Sequence, residues 1–325
     1  MTETTEKPMD RFDRLAGRIA AARDALADHV FGQDAVIEQV LVALLAGGHA
    51  LLVGTPGLAK TRLVTAASTV LGLTGRRVQF TPDLMPSDIL GAEVLEEGAS
   101  GTRAFRFIEG PVFCQLLMAD EINRASPRTQ SALLEAMQER QVTTAGERRA
   151  LPTPFHVLAT QNPIEQEGTY PLPEAQLDRF LLRIDVDFPD EASERRMLAA
   201  TTGGAEERLR SVMSAEDLLA AQALVRDLPI GERLVDDLLS LVRSARPGGS
   251  HAEGLYWGPG PRATQALSLA VRARALLAGR TAPDTDDLIA LAAPVLRHRM
   301  ALDFASRAEG RTVEKVIADM TARLG

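Results

Sequence analysis

HALLVGTPGLAKT, residues 49–61, runs a short apolar stretch into a loop holding Gly54, Pro56 and Gly57 and closes it with Lys60 and Thr61. RLVTAASTVLG, residues 62–72, continues with apolar positions at helical spacing. Buried strand, glycine-rich turn and helix start form the arrangement in which backbone N–H groups and the positive end of a helix cradle anionic oxygens. In such a loop Lys60 reaches β- and γ-phosphates as a mobile point charge, and the Thr61 hydroxyl takes a magnesium position. Ala59 stands where the pattern G-x-x-x-x-G-K-[ST] has glycine, so a Cβ must be accommodated where backbone packs closely on phosphate. A Gly/Pro turn that merely precedes a helix has the same local look, and the surrounding chain has to decide.

Residues 49–53, 76–80, 115–119, 156–160 and 182–186 are strand-length apolar runs separated by helix-length segments. That alternation predicts an α/β fold, a mainly parallel five-stranded sheet covered by helices on both faces. ILGAEVLEEGASGTRAFRFI, residues 89–108, and QVTTAGERRAL, residues 141–151, interrupt the pattern with glycine-containing centres between strand-like flanks, and predict two inserted β-hairpins. After Phe188 and Pro189 strand signals stop, and helical patterns follow near 191–200, 215–228, 231–245, 262–277 and 284–299. The expected division is an α/β domain over 1–189, opening with a helix, and an all-helical domain over 190–325.

QLLMADEINRASP, residues 115–127, ends an apolar strand in the adjacent carboxylates Asp120 and Glu121. Open α/β sheets bind ligands at that carboxyl edge. There Asp120 holds magnesium through water, while Glu121 orients and polarises an attacking water. An Asp-Glu pair is also an ordinary opening of the next helix, so its weight comes from lying one helix–strand spacing beyond Lys60. The chain has only two asparagines, Asn123 and Asn162. Asn162 follows the next strand in FHVLATQNP, residues 155–163, placed to hydrogen-bond the water or γ-phosphate unless it simply caps a turn before Pro163.

Composition narrows the classes. The 325 residues are 45% apolar and 25% charged, as in an ordinary globular protein of one large domain and a smaller one. A net charge of -8 argues against non-specific nucleic-acid binding, which needs many phosphate-neutralising cations. The single cysteine, Cys114, excludes an internal disulfide, implies a reducing compartment and packs as a small hydrophobe. MTETTEKPMDRF shows no signal or lipidation pattern, and a cytoplasmic protein is expected. Residues 39–59 carry no charge over a length fit for a membrane span, but Gly47, Gly48, Gly54, Pro56 and Gly57 punctuate them into helix, turn, strand and loop. Only three lysines occur among 36 basic residues, and one of them is Lys60.

These residues resemble the AAA+ ATPases: GTPGLAKT matches Walker A in an alanine variant, LLMADEINRA matches Walker B and ATQNP matches sensor one. The narrower likeness is to the MoxR family, through residues 30–61, QFTPDLMPSDILG at 79–91, DEINRASPRTQSALLEAMQE at 120–139, YPLPEAQLDRF at 170–180 and GPGPRA at 258–263. The resemblance implies an AAA+ core with a helical lid, ATP and Mg2+ as ligands, and nucleotide contacts from Thr55, Pro56, Gly57, Leu58, Ala59, Lys60, Thr61 and Arg62. It makes Arg179 of LDRF a finger for a neighbouring subunit's γ-phosphate and Arg262 the lid's sensor-two arginine, acting in its own subunit or across to the next. It places Val30, Phe31 and Gly32 at the adenine, and implies a homo-oligomeric ring, hexameric when ATP is bound. The implied work is remodelling, maturing or inserting a cofactor into a client, with a von Willebrand factor type A domain protein as partner and no membrane insertion.

Rivals remain on the sequence. A nucleic-acid motor or transcription-activating ATPase would use Arg103, Arg106, Arg148 and Arg149 of the hairpins on phosphates. A magnesium-chelatase subunit shares the hairpins, and a nucleotide switch with negligible turnover needs only the loop. His29, His49, His156, His251 and His298 lack paired ligand spacing and are assigned no metal. Trp257, the only tryptophan, lies before Arg262 in GLYWGPGPRA, where it fixes that loop or meets a client.

Overall fold

The computed structural model describes residues 7–97, 103–144, 146–165, 168–202 and 209–324. In chain order the first half contains α1 (Pro8–Ala27), α2 (Asp34–Leu45), β1 (Ala50–Val53), α3 (Lys60–Val70), β2 (Gly75–Gln79), α4 (Pro86–Leu90), β3 (Gly91–Glu97) and β4 (Arg103–Glu109). It continues with β5 (Leu116–Asp120), a 3-10 turn over Ile122–Arg124, α5 (Pro127–Glu139), β6 (Gln141–Thr144), β7 (Glu147–Ala150), β8 (His156–Gln161), α6 (Glu174–Leu177) and β9 (Leu182–Asp185). The second half contains α7 (Glu191–Thr202), α8 (Ala215–Asp227), α9 (Glu232–Ser244), β10 (Leu255–Trp257), α10 (Pro261–Leu277), α11 (Thr285–Leu296), β11 (Ala301–Leu302), α12 (Phe304–Ala308) and α13 (Val313–Thr321).

The five expected strands form one parallel sheet in the order β2-β5-β8-β1-β9. Every residue of β1 and β5 is buried, as covering both faces of a parallel sheet requires. Period-two alternation splits their side chains between two cores. Ala50, Leu52, Leu116 and Met118 join an apolar cluster with α1, α2, α3 and the C-terminal helices. Leu51, Val53, Leu117 and Ala119 join another beneath α5 with Phe80, Ile89, Phe155 and Phe180. Because β8 lies between β5 and β1, the loops leaving the carboxyl ends of all three strands have to converge.

Residues 89–108 and 141–151 contain the expected hairpins, β3 with β4 and β6 with β7. Their centres, 98–102 and 145, fall outside the described residues. The helices of the second half start where caps dictate. Ser214 with Asp217 forms a capping box on α8, and Asp284 with Asp287 forms another on α11. On α9, Leu234, Leu238, Leu241 and Val242 recur at i, i+4, i+7 and i+8 and are buried.

The helical half differs from expectation in one respect: β10 and β11 form a small antiparallel pair. The two segments are three and two residues long, too short for alternation to register in sequence. That pairing holds half-buried Trp257 opposite Ala301, while Tyr256 is 60% exposed. Residues 39–59 resolve into most of α2, a turn, β1 and a loop, and no helix among the described residues is long and apolar enough to cross a membrane. Cys114 is buried, which pushes its thiol up to about 11.

Candidate active site

The loop between β1 and α3 lines a cleft of about 390 Å³ with Pro56, Gly57, Leu58, Ala59, Lys60, Thr61 and Arg62. Gly54, at the loop's start, has no room for a side chain, because a Cβ there would lie 2.5 Å from the Val186 carbonyl. Ala59 adopts φ 57°, ψ 17° immediately before α3. An L-residue carries roughly 1–2 kcal/mol of strain in that left-handed conformation, which explains why glycine suits the position. Lys60 donates from Nζ to the Gly54 and Thr55 carbonyls at 2.8 and 2.6 Å, using two of its three protons on its own loop. Burial lowers its pKa, while Asp120 and Glu121 oppose that shift.

Asp120 and Glu121 face the loop across the cleft. Four further residues, given no role by the sequence alone, position them. The Thr160 hydroxyl donates to Asp120 Oδ1 at 2.5 Å and accepts the Glu121 N–H at 2.9 Å, tying the end of β5 to β8. Arg77 donates to Asp120 Oδ2 from Nε and Nη2 at 3.1 and 2.6 Å. Gln79 donates to Glu121 Oε2 at 2.8 Å, and Arg124 donates to the same oxygen at 3.0 Å. Arg77 and Gln79 lie two residues apart on β2, and β2 pairs with β5 so that Gln79 sits opposite Asp120. Period-two spacing within 76–80 marks that shared face; only the strand order shows that it borders the carboxylates. Glu121 itself is left-handed, with φ 55° and ψ 51°, a conformation that persists in a non-glycine residue when its surroundings over-determine it.

Asn162 is buried at the end of β8 and lines the same cleft. Its Oδ1 accepts the Ile164 N–H at 3.1 Å, leaving the NH2 as the end free to donate. Asn123, although buried, is outside the lining, and its backbone carbonyl accepts the Tyr170 N–H at 2.7 Å.

The cleft suits a nucleotide triphosphate. Lys60, Arg62 and the N-terminus of α3 offer positive charge on one side, and two carboxylates, with Arg77 held against Asp120, and an amide face them on the other. Among the described residues no group of three His, Cys, Asp or Glu side chains is placed to hold a metal. Thr61 and Asp120 fit magnesium, which keeps several waters and takes other ligands from phosphate.

Arg179 and Arg262 are elsewhere. Both line a second cleft of about 310 Å³, with Gly48, His49, Arg140, Asp178 and Arg299 among its other walls. Fully buried Phe180 anchors the segment, and Arg179 donates to the Leu134 carbonyl at 2.7 Å. Arg299, from the end of α11, is buried beneath it. It donates to Asp178 Oδ1 at 2.7 Å and to the carbonyls of Phe180 and Leu181 at 2.7 and 3.1 Å. Asp178 also pairs with Arg262 at 3.6 Å. The lid thus grips residues 178–181 through a hydrogen-bonded cation. Along the inner wall, His49 and His156 are buried and neutral, held to about 3 and about 4 chiefly by desolvation. His49 bonds the Val157 N–H and Met137 carbonyl, and His156 bonds the Gly48 carbonyl and Gln222.

Val30, Phe31 and Gly32 line neither cleft. Val30 is buried, and Gly32, at φ +69°, packs so closely that a Cβ would lie 2.6 Å from Ser193 and 2.7 Å from Pro189. They sit where the chain leaves the sheet for α7.

Residues 49–182 match the family described as "ATPase family associated with various cellular activities (AAA)", and residues 251–320 match the AAA lid domain. The chain is 41% identical to Chaperone MoxR1 of Mycobacterium tuberculosis over 89% of its own length and 77% of the relative's. It is 34% identical to Protein MoxR of Paracoccus denitrificans over 88% of this chain and 89% of that one. A crystal structure of a candidate ATPase from Cytophaga hutchinsonii superposes with a TM-score of 0.89 at 35% identity, covering 96% of each chain.

Proposed function

The chain belongs to the MoxR family of AAA+ ATPases, and from that premise we propose that it hydrolyses ATP to ADP and phosphate with Mg2+ at a site completed by a second copy of itself. Lys60 neutralises the β- and γ-phosphates with the amides of residues 55–62, and Thr61 and Asp120 hold the magnesium. Glu121 orients the attacking water and accepts its proton, while Asn162 donates to the water or the γ-phosphate. Arg77 donates to one Asp120 oxygen and so fixes the carboxylate that would hold the metal through water. Val30, Phe31 and Gly32 serve the adenine at the junction with α7.

The observation that carries this reading is the separation of the clefts. Lys60, Asp120, Glu121 and Asn162 share one, whereas Arg179 and Arg262 line the other. A guanidinium needed by the transferred phosphoryl group is then supplied by a neighbour, as closed ring assembly provides. The proposal extends to Arg262 acting across the interface together with Arg179 and to a ring that is a hexamer when ATP is bound. The test is magnesium-dependent ATP hydrolysis per subunit across a wide range of protein concentration. Specific activity should rise with assembly; activity that is present but flat would sink the cross-subunit site.

The relative named as a chaperone supports extending the proposal to chaperone-like remodelling, maturation or cofactor insertion on a client protein in the cytoplasm. A von Willebrand factor type A domain protein is the proposed partner. The hairpins favour a protein client over nucleic acid: Arg103, Arg106 and Arg149 pair with Glu97, Glu96 and Glu147 at 3.2, 3.1 and 2.6 Å. Capture of such a partner by the Glu121→Gln chain with ATP supports the reading, and a salt-sensitive DNA shift without a protein partner overturns it.

A further inference from the structure

Arg140 enters the same cleft as Arg179 and Arg262, and no contact within the chain accounts for it. It ends α5 in a left-handed conformation, φ 52° and ψ 28°. Its N–H bonds the Ala136 carbonyl at 2.9 Å, and its own carbonyl accepts the Leu151 N–H at 3.0 Å. The backbone is thus clamped between a helix end and the far strand of the second hairpin, which fixes where the side chain leaves. That side chain is exposed and makes no ion pair or hydrogen bond among the described residues. The other arginines of the cleft are engaged: Arg299 and Arg262 on Asp178, Arg179 on the Leu134 carbonyl.

Charge makes the cleft a site for an anion. Four arginines line it against one carboxylate, Asp178, which two of them already share. Like charges brought together repel, and the excess is stabilised when a multivalent anion arrives. The buried histidines beside it, His49, His156 and His298, are neutral and leave the balance of charge to the arginines and Asp178. We propose that Arg140 is a third arginine that contacts the terminal phosphates of the nucleotide held by a neighbouring copy of the chain. This rests on the cross-subunit reading above. Arg179 comes from the segment before β9, Arg262 from the lid and Arg140 from the base of the second hairpin, so one phosphate group engages three separate parts of the neighbour at once.

The test uses the full chain. Arg140→Asn removes the cation and keeps a residue that tolerates the left-handed backbone. It should lower assembled turnover roughly 10–100-fold, the scale of one lost charge-stabilising donor, while the dispersed chain binds a fluorescent ATP analogue with unchanged affinity. Weakened binding there overturns the proposal, because the effect then lies within the chain's own fold or site. The Arg140→Asn chain is then mixed with a Lys60→Ala chain, which lacks a working loop but keeps its arginines. The loop of the first is served by Arg140 of the second, so turnover should recover above that of either alone. An Arg179→Ala chain mixed with the same Lys60→Ala chain is the control. Recovery with both supports the proposal; recovery for Arg179 alone overturns the Arg140 assignment and leaves the cross-subunit reading standing. If neither pair recovers, that underlying reading falls.

Discussion

The two clefts differ in how the chain builds them. The phosphate-loop cleft takes its lining from runs after three neighbouring strands, 56–62 after β1, 120–121 after β5 and 160–162 at the end of β8, with 77 and 79 from the edge strand. The arginine cleft draws on residues 47–49, 137–140, 178–181, 262–269 and 299, spread over both halves of the molecule. A cleft made of strand ends is a consequence of sheet order and announces itself in local motifs. A cleft made of side chains from separate elements is complete only in three dimensions, and its charge is unbalanced until something docks.

The most severe test of the division is Arg179→Ala. A finger acting across an interface is worth about 1,000-fold or more in turnover, and its loss should leave the ATP affinity of the dispersed chain within about twofold. Single-turnover kinetics beside equilibrium binding would measure both. If affinity fell along with turnover, Arg179 would be serving its own chain's nucleotide, and the two clefts would be one site.

Glu121→Gln removes the proton acceptor and keeps the shape, so turnover should drop about 100- to 1,000-fold while ATP binding persists. The bond that Gln79 makes to Glu121 Oε2 is matched in the variant by the glutamine side-chain oxygen. Mixing Glu121→Gln with Lys60→Ala chains should not restore activity, because each lacks an essential part of its own loop cleft. That result contrasts with the complementation expected of arginine variants, and restored turnover would break the comparison.

The phosphate-loop cleft was largely legible in the sequence, because Lys60 and Thr61 open the helix after β1 and Asp120, Glu121 and Asn162 lie at strand ends, each with a local signature. Thr160, Arg77 and Gln79 were not, since their role depends on which strands are neighbours, and nothing in 76–80 states that β2 lies beside β5. For the arginine cleft, LDRF and GPGPRA pointed to Arg179 and Arg262 through resemblance alone. Arg140, at the end of an ordinary amphipathic helix, and Arg299, buried under the segment it supports, carry no local signal. The small β10–β11 pair was missed because two- and three-residue strands have no periodicity to read.

Acid should act on the arginine cleft first. His49 lines it and His156 lies behind, both neutral in the fold with pKa values of about 3 and about 4; the phosphate-loop cleft has no histidine in its lining. The unfolded chain protonates both near pH 6.5, so stability is fully present above that value and declines as pH falls toward the folded pKa values. By pH 5 the loss should approach roughly 2 kcal/mol per histidine. Chemical unfolding at pH 7.5, 6 and 5 would measure it, and His156→Gln should flatten the slope. An unchanged slope in that variant would place the acid sensitivity elsewhere.

The finest distinction lies in two left-handed residues, Ala59 in one cleft and Arg140 in the other, at φ 57° and 52°. Glycine at either position relieves strain of roughly 1–2 kcal/mol, offset by up to about 1 kcal/mol from the greater freedom glycine gives the unfolded chain. Ala59→Gly and Arg140→Gly should therefore each stabilise the chain by something under about 2 kcal/mol, read as a small rise in thermal midpoint. Their effects on turnover should diverge. Ala59→Gly adopts the loop residue that phosphate-binding patterns favour and should keep turnover within a few-fold, whereas Arg140→Gly gains the same backbone ease and loses a cation. Equal stability with unequal turnover would show that the chain tolerates strain at Arg140 for the sake of its side chain. Equal turnover would mean that the left-handed turn at α5 is a matter of folding alone.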